Sequence, residues 1–162
     1  MKTIPTTSSS KSTAQQETAN PWFAVVERLG IRNERFHAAL ELTDGRIGAR
    51  ANRGRMLGEA KTAALIWGLG HDNPVVRRCC LEFLDQHPSA ATVPSIVRCL
   101  DDPVPRVRWH AVHALVCDVC KPGVHYADDV VLERIRALAS SDPSVKVRRQ
   151  AQWGLDQLGD RQ

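Results

Sequence analysis

The feature that most constrains this chain is a sequence frame that recurs along it. An aspartate and a proline are followed at fixed spacing by valine–arginine, alanine and leucine, in the order D-P-x3-V-R-x2-A-x3-L. The frame is complete at 102–115 and at 142–155, and a looser copy covers 72–84. Such recurrence is typical of stacked units, because each unit buries its apolar face against the next. The frame therefore predicts a repeat protein.

The residues around each frame predict paired helices. At about 100° per residue, Val107, Ala111, Ala114 and Leu115 fall on one side of a helix and form a buried stripe. Prolines near helix starts and glycines near helix ends mark the boundaries. We predict three helix pairs: 59–69 with 75–86, 91–100 with 104–117, and 128–139 with 143–158.

The spacing of the valine–arginine step locates an insertion. Arg77 and Arg108 are 31 positions apart, whereas Arg108 and Arg148 are 40 apart, an excess of nine residues. The segment CDVCKPGVHYADD, which begins at Cys117, accounts for this excess. The second and third units should therefore be joined by a longer connection.

Composition agrees with an all-α protein. Hydrophobic residues make up 43% of the 162 residues and aromatic residues only 5%, and no alternating apolar runs indicate strands. The formal charge of +4 is a mild basic excess. No segment has the apolar length of a signal peptide or membrane span, so we expect a cytoplasmic protein whose five cysteines are reduced.

The chain divides into three predicted parts. Residues 1–20 are polar and of low complexity, which predicts a disordered tail. Residues 21–58 predict an N-terminal helical cap followed by an Arg/Gly-rich loop, with Asn20 capping the first helix and Asn33 the second. Residues 59–162 form the repeat domain.

The frame resembles the HEAT repeat, and its short period is closest to the HEAT-like units of phycobilisome lyases and of many bacterial adaptor proteins. The first copy departs from the pattern, with Asp72 in place of the proline and Cys80 in place of the alanine. The resemblance covers roughly residues 59–158 and implies a short α-solenoid whose second helices line a concave face. It leaves function open, because this architecture serves scaffolds, enzyme subunits, nucleic-acid binders and inhibitors.

The recurring arginines Arg77, Arg108 and Arg148 are predicted to be structural. Each lies at the border of the buried stripe, where it can pair with an aspartate of the preceding turn. We therefore expect Arg108→Ala to lower the melting temperature.

The resemblance places the best candidate site on the second helices. The positions clear of the buried stripe include Cys79 and Gln150, together with tryptophan, histidine and arginine side chains that are typical of recognition surfaces. The predicted partner-binding residues are Arg78, Glu82, Trp109, His110, His113, Arg149 and Trp153.

The segment 43–58 carries a second candidate site. Glycine beside arginine suits a phosphate or carboxylate ligand, and the candidate anion-binding residues are Arg46, Arg50, Arg53 and Arg55. The alternative is a solvated linker between the cap and the repeats.

Metal binding ranks lower. His110, His113, Cys117 and Cys120 are spaced by three, four and three residues, and four residues along one helix cannot all converge on an ion. The sequence therefore predicts no metal site, and the weaker candidate ligands are His113, Cys117, Cys120 and His125.

The function predicted from the sequence is a non-catalytic adaptor that binds another protein through its concave face, without a cofactor. Nucleic-acid binding through a basic face and the arginine loop is the first alternative, and a bilin-lyase-like subunit is the second. No catalytic motif is present. The last helix has no predicted cap, which leaves a surface for a partner or a second copy of the chain.

Overall fold

The structure is a computed structural model that describes residues 20–46, 48–121 and 128–159. These residues contain helices and no strand, and none of the helices is long and apolar enough to cross a membrane. The helices are α1 (Trp22–Arg28), α2 (Arg35–Leu42), α3 (Ala49–Asn52), α4 (Glu59–Gly68), α5 (Pro74–Gln86), α6 (Val93–Arg98), α7 (Pro105–Val116), α8 (Asp129–Ser141) and α9 (Val145–Gly159). The predicted all-α class is confirmed.

The helices stack as three pairs, α4 with α5, α6 with α7, and α8 with α9. Helix α5 packs on α7, and α7 packs on α9, so the second helix of each pair belongs to one continuous row. The first helix of the middle pair differs from its prediction, because 3-10 turns at Ala90–Thr92 and Cys99–Asp101 flank a short α6. The result is the predicted short solenoid.

Small residues allow the close packing of the second helices. The central positions Cys80, Ala111 and Ala151 are all fully buried. At Gly68 the approach is closer still, since an added Cβ would lie 2.5 Å from the Cys80 Sγ and 2.6 Å from a Val26 methyl carbon. Helices α1, α4 and α5 therefore meet at a position with no room for a side chain.

The N-terminal segment follows its prediction only in part. The N-cap of α1 is Pro21 rather than the predicted Asn20, but the Asn20 Oδ1 accepts a hydrogen bond of 3.0 Å from the Trp22 backbone N–H at the helix start. Helix α2 likewise starts after Glu34 rather than Asn33. Phe36, the second residue of α2, is 57% exposed. The predicted tail lies outside the described residues, apart from Asn20.

The recurring arginines link successive units. The Arg77 guanidinium donates to both oxygens of Asp102, at 2.7 and 2.9 Å, and Arg108 donates in the same way to Asp142, at 2.7 and 2.8 Å. The Nη1 atom of Arg108 also donates to the Asp102 backbone carbonyl at 2.7 Å. The predicted aspartate partner is correct in kind but wrong in position, because the carboxylate belongs to the following turn and the preceding turn supplies carbonyls. Each arginine thus joins its own unit to the next.

The Arg148 side chain also contacts the backbone of the turn before its own helix. Its Nη1 donates to the Asp142 carbonyl at 2.6 Å. The Arg77 Nη1 donates to the His71 and Asp72 carbonyls at 2.7 and 2.9 Å, so all three arginines are bound to the backbone of the turn that precedes their helix.

Candidate functional site

A histidine ring lies between two tryptophans on the second helices. The His113 ring stacks on Trp109, with centroids 5.4 Å apart and planes 8° apart, and on Trp153 at 5.7 Å and 10°. The His113 Nδ1 lies 3.4 Å from the Gln150 side-chain nitrogen. Three predicted partner-binding residues therefore form one column that connects α7 to α9.

A cationic groove lies beside this column, at the N-terminal ends of α7 and α9. We call it the Trp109 groove, and its volume is about 840 Å³. Its lining residues are Val104, Pro105, Arg106, Trp109, His110, Ser144, Lys146, Arg149 and Gln150. Arg106, Lys146 and Arg149 are exposed, and no acidic residue lines the groove. The arrangement suits an anionic ligand with apolar groups.

His110 forms one wall of the Trp109 groove. Burial, together with the charges of Arg78 and Arg106, lowers its pKa to about 4, so the ring is neutral near pH 7. Its Nε2 lies 3.5 Å from Glu82. Arg78 and Glu82 form an ion pair one helical turn apart on α5. These two predicted partner-binding residues therefore already satisfy each other.

Two positions that were predicted to be clear of the buried stripe are buried. Cys79 is 3% exposed and Gln150 is 9% exposed. Both lie three residues after the recurring valine, on the side of α5 or α9 that packs against neighbouring elements. The positive charge of the Trp109 groove therefore comes from Arg149 and from Arg106 and Lys146, two residues that the sequence prediction omitted.

Four potential metal ligands converge at the C-terminal ends of α5 and α7. We call this group the cysteine cluster; it consists of Asp85, His113, Cys117 and Cys120, and its ligand atoms all lie within 4.8 Å of one another. The His113 Nε2 is 3.5 Å from the Cys120 Sγ and 3.5 Å from an Asp85 oxygen. The cluster therefore places two sulfurs, one nitrogen and one oxygen around a common centre.

The local fold explains this convergence. The four regularly spaced residues from His110 to Cys120 would lie along one edge of a single continuous helix only if α7 extended to Cys120, but α7 ends at Val116 and the Cys117 backbone is extended. The turn that follows brings Cys120 back toward His113. His110 does not join the cluster, and the candidate ligand His125 lies outside the described residues.

The two cluster cysteines differ electrostatically. Burial opposes ionisation of Cys117, but hydrogen bonds with His113 and with the side chain and backbone of Cys120 outweigh it and lower its pKa to about 7. Burial and the Asp85 carboxylate raise the pKa of Cys120. For His113, burial is outweighed by Cys117 and Asp85, and its pKa is raised. The surroundings therefore favour the thiolate form of Cys117 and the protonated form of Cys120.

The other cysteines have a different character. Burial raises the pKa of Cys79 and Cys80, and it raises that of Cys99 to about 11. These thiols stay protonated and act as small packing residues.

A buried lysine stands next to the cysteine cluster. Lys121 is 1% exposed, and its Nζ lies 3.0 Å from the Asp85 Oδ1. The other oxygen of Asp85 faces His113. A lysine without solvent contact requires an anionic environment, and Asp85 provides part of it.

The sequence contained a signal for Asp85 that the prediction missed. Asp85 occupies the frame position filled by the buried Val116 in the second copy. A carboxylate at a core position requires a partner. Such a residue, in the repeat that precedes a C-x-x-C segment, points to a polar site.

The arginine segment differs from a simple loop. It contains the short helix α3, and the Gly54 backbone N–H donates to the Gln86 carbonyl at 2.9 Å, at the end of α5. Arg46 pairs with Asp44 at 3.0 Å. The other three arginines, Arg50, Arg53 and Arg55, are exposed. Their predicted role in anion binding stays a prediction.

The stacked helix pairs and the row of second helices define an α-solenoid repeat protein. A family model described as HEAT repeats matches residues 62–156, which is more than half of the chain. This chain belongs to the HEAT-repeat family. The resemblance to the phycobilisome-lyase type of repeat stays a prediction.

A solved structure supports the same fold. Human deoxyhypusine hydroxylase, in complex with glycerol, superposes with a TM-score of 0.57 at 23% sequence identity. The match covers 87% of this chain and 44% of that chain, so the chain spans less than half of the enzyme's length. At this identity the likeness concerns the fold alone. No curated protein matches the sequence.

Proposed function

We propose that this chain is a non-catalytic adaptor that binds an acidic segment of another protein in the Trp109 groove. The observation that carries the proposal is the composition of that groove. Three exposed cations lie around an aromatic floor on the row of second helices, and no acidic residue lines it. Solenoids commonly use such rows as extended binding surfaces.

The charges of the groove favour an anionic partner. Within the described residues, Arg106, Lys146 and Arg149 have no acidic partner within ion-pair distance. Arg78 and Arg108, in contrast, each hold a carboxylate. The groove cations are thus available to a partner, and complementary charges would speed association and fix its orientation.

The aromatic floor favours a protein over a nucleic-acid backbone alone. Trp109 is half-buried and held by its stack on His113, so it offers a rigid apolar surface at little entropic cost. Tryptophan and arginine are the residues most enriched among the energetically dominant positions of protein interfaces. An acidic segment that carries apolar side chains would use both features.

Geometry counts against a continuous phosphate track. The arginine segment is bound at the C-terminal end of α5 through Gly54, whereas the Trp109 groove lies at the N-terminal ends of α7 and α9. Helices α5 and α7 run in the same direction, since Arg77 near one start contacts Asp102 just before the other. A helix of this length separates the two basic regions by about 18 Å.

The test compares two classes of ligand by fluorescence anisotropy. A labelled peptide of glutamates with leucine at every fourth position should bind, and the double variant Lys146→Glu/Arg149→Glu should weaken binding at least about tenfold, roughly 1.4 kcal/mol. Arg136→Glu is the control, because Arg136 is an exposed arginine on α8, away from the groove. Binding of a DNA oligonucleotide with steep salt dependence, without binding of the peptide, would overturn the proposal in favour of a nucleic-acid role.

A further inference from the structure

We propose that Asp85, His113, Cys117 and Cys120 bind one Zn²⁺ ion in a closed, structural site. The inference concerns the cysteine cluster and does not depend on the adaptor function. It rests on the convergence of the four side chains from two units of the solenoid.

The distances are close to those of an occupied site. Zinc bonds of about 2.0 Å to nitrogen or oxygen and 2.3 Å to sulfur give ligand–ligand edges of about 3.3 to 3.8 Å in a tetrahedron. The edges from the His113 Nε2 to the Cys120 Sγ and to the Asp85 Oδ2 are both 3.5 Å. All edges are within 4.8 Å. Small side-chain rotations therefore complete the tetrahedron.

The C-x-x-C turn contributes a second feature of metal sites. The Cys117 backbone is extended just after the end of α7, and the turn that follows brings the Cys117 and Cys120 sulfurs within 4.8 Å of the other ligand atoms. Cysteine sulfur is a preferred ligand of zinc. The backbone therefore directs both cysteines toward one centre.

The residues around His113 fix its ring for ligation. Stacking on Trp109 and Trp153 holds the ring plane, and the edge that carries Nε2 points into the cluster. The Nδ1 atom faces the amide of Gln150. Metal-bound histidines almost always donate their other N–H to an acceptor. In the bound state the Gln150 amide is turned so that its oxygen accepts from Nδ1–H, which leaves the Nε2 lone pair for zinc.

The charges balance when the site is filled. Two thiolates and the Asp85 carboxylate supply three negative charges, and Zn²⁺ with the ammonium of Lys121 supplies three positive charges, while His113 is neutral. Lys121 contacts the Asp85 Oδ1 at 3.0 Å and leaves Oδ2 for the metal. Binding exchanges one Zn²⁺ for the two thiol protons, so the buried group stays neutral in both states. Four protein ligands leave no open position, which is typical of structural rather than catalytic zinc.

The first experiment measures the metal content of the full chain. Protein produced with zinc in the medium and purified under reducing conditions should contain one zinc per chain by elemental analysis. Replacement by Co²⁺ should give the intense visible absorption of a tetrahedral ion and a thiolate charge-transfer band. A chelator should lower the melting temperature by about 10 °C, because the metal stabilises only the folded state.

Variants separate the cluster from adventitious binding. Cys120→Ser and Asp85→Asn should lose the bound zinc and the chelator effect, whereas Cys79→Ala, at a buried cysteine outside the cluster, should keep both. Gln150→Leu should keep the stoichiometry and weaken zinc affinity by about 10- to 100-fold, as expected for a positioning residue.

Three results would overturn the proposal. One is a wild-type chain that folds without zinc and gives no tetrahedral cobalt spectrum. Another is a Cys120→Ser chain that retains stoichiometric zinc, which would place the ion elsewhere. The third is a Cys117–Cys120 disulfide in protein isolated with its thiols trapped, which would assign the cluster to redox chemistry.

Discussion

Removal of the Asp142 carboxylate should destabilise the solenoid strongly. In the wild type this carboxylate accepts two hydrogen bonds from Arg108, at 2.7 and 2.8 Å, and one of 2.8 Å from the Ser144 backbone N–H. The side chains of Arg108 and Asp142 are only 11% and 2% exposed. Asp142→Ala therefore leaves a buried guanidinium without its counter-charge.

The size of the effect follows from this geometry. Breaking a buried ion pair by removing one partner costs about 3 to 5 kcal/mol. The lower end applies here, because Arg108 keeps its bonds to the carbonyls of Asp102 and Pro103. With about 2 to 4 °C per kcal/mol for a chain of this size, the melting temperature should fall by about 6 to 12 °C.

The assay is thermal unfolding followed by circular dichroism, with an exposed ion pair as the control. Asp101 pairs with Arg134, but its side chain is 76% exposed, so Asp101→Ala should cost less than about 1 kcal/mol. The double variant Arg108→Met/Asp142→Ala should lose less unfolding free energy than the two single variants lose in sum, since no unpaired charge is left. Equal shifts for Asp142→Ala and Asp101→Ala would refute the structural role of the arginines.

Three further predictions test separate features. Gly68→Ala should destabilise the fold by about 1 to 3 kcal/mol, because the added Cβ would collide with Cys80 and Val26. Gly58→Ala is the control, because nothing lies within 4 Å of its added Cβ. Equal melting temperatures for the two variants would contradict the close packing at Gly68. The pKa of Asp142 is lowered from 3.8 by its hydrogen bond with Arg108. The carboxylate should therefore stabilise the fold fully above pH 3.8, and this stabilisation should be lost as the pH falls through the lower pKa of the folded state. Asp142→Asn should flatten this acid dependence of the unfolding free energy in urea titrations. His110, with a pKa of about 4, should stay neutral at pH 5 by NMR. The folded chain should lose stability as the pH falls from 6.5 to 4, because the unfolded chain takes up the proton first. An NMR titration midpoint near 6.5 would show that the ring is not buried.

Much of the fold was predictable because one local pattern repeats. Pro105 near the start of α7, the stripe through Val107 and Ala111, and the aspartates of the turns each act within a few residues. The partner of Arg108 was not predictable in the same way. Whether its carboxylate comes from the preceding or the following turn depends on how successive units stack, and only the assembled structure specifies that.

The candidate site was predictable in composition but not in arrangement. Trp109, His113 and Trp153 were selected together, yet their stacking depends on the rotation of α7 relative to α9. The cysteine cluster was missed because its geometry depends on the end of α7 and on Asp85 from another unit. Spacing along one helix contains neither of these facts.

The arginine links also have a consequence for how such a chain can change in length. Each internal unit presents an aspartate to the unit before it and an arginine to the unit after it, as Asp102 and Arg108 do. Duplication or loss of a whole internal unit therefore leaves every junction with a matched pair. A shift of a few residues within a unit would separate the pair. The chain can therefore change in length by whole repeats, whereas any other change would leave a buried arginine without its aspartate.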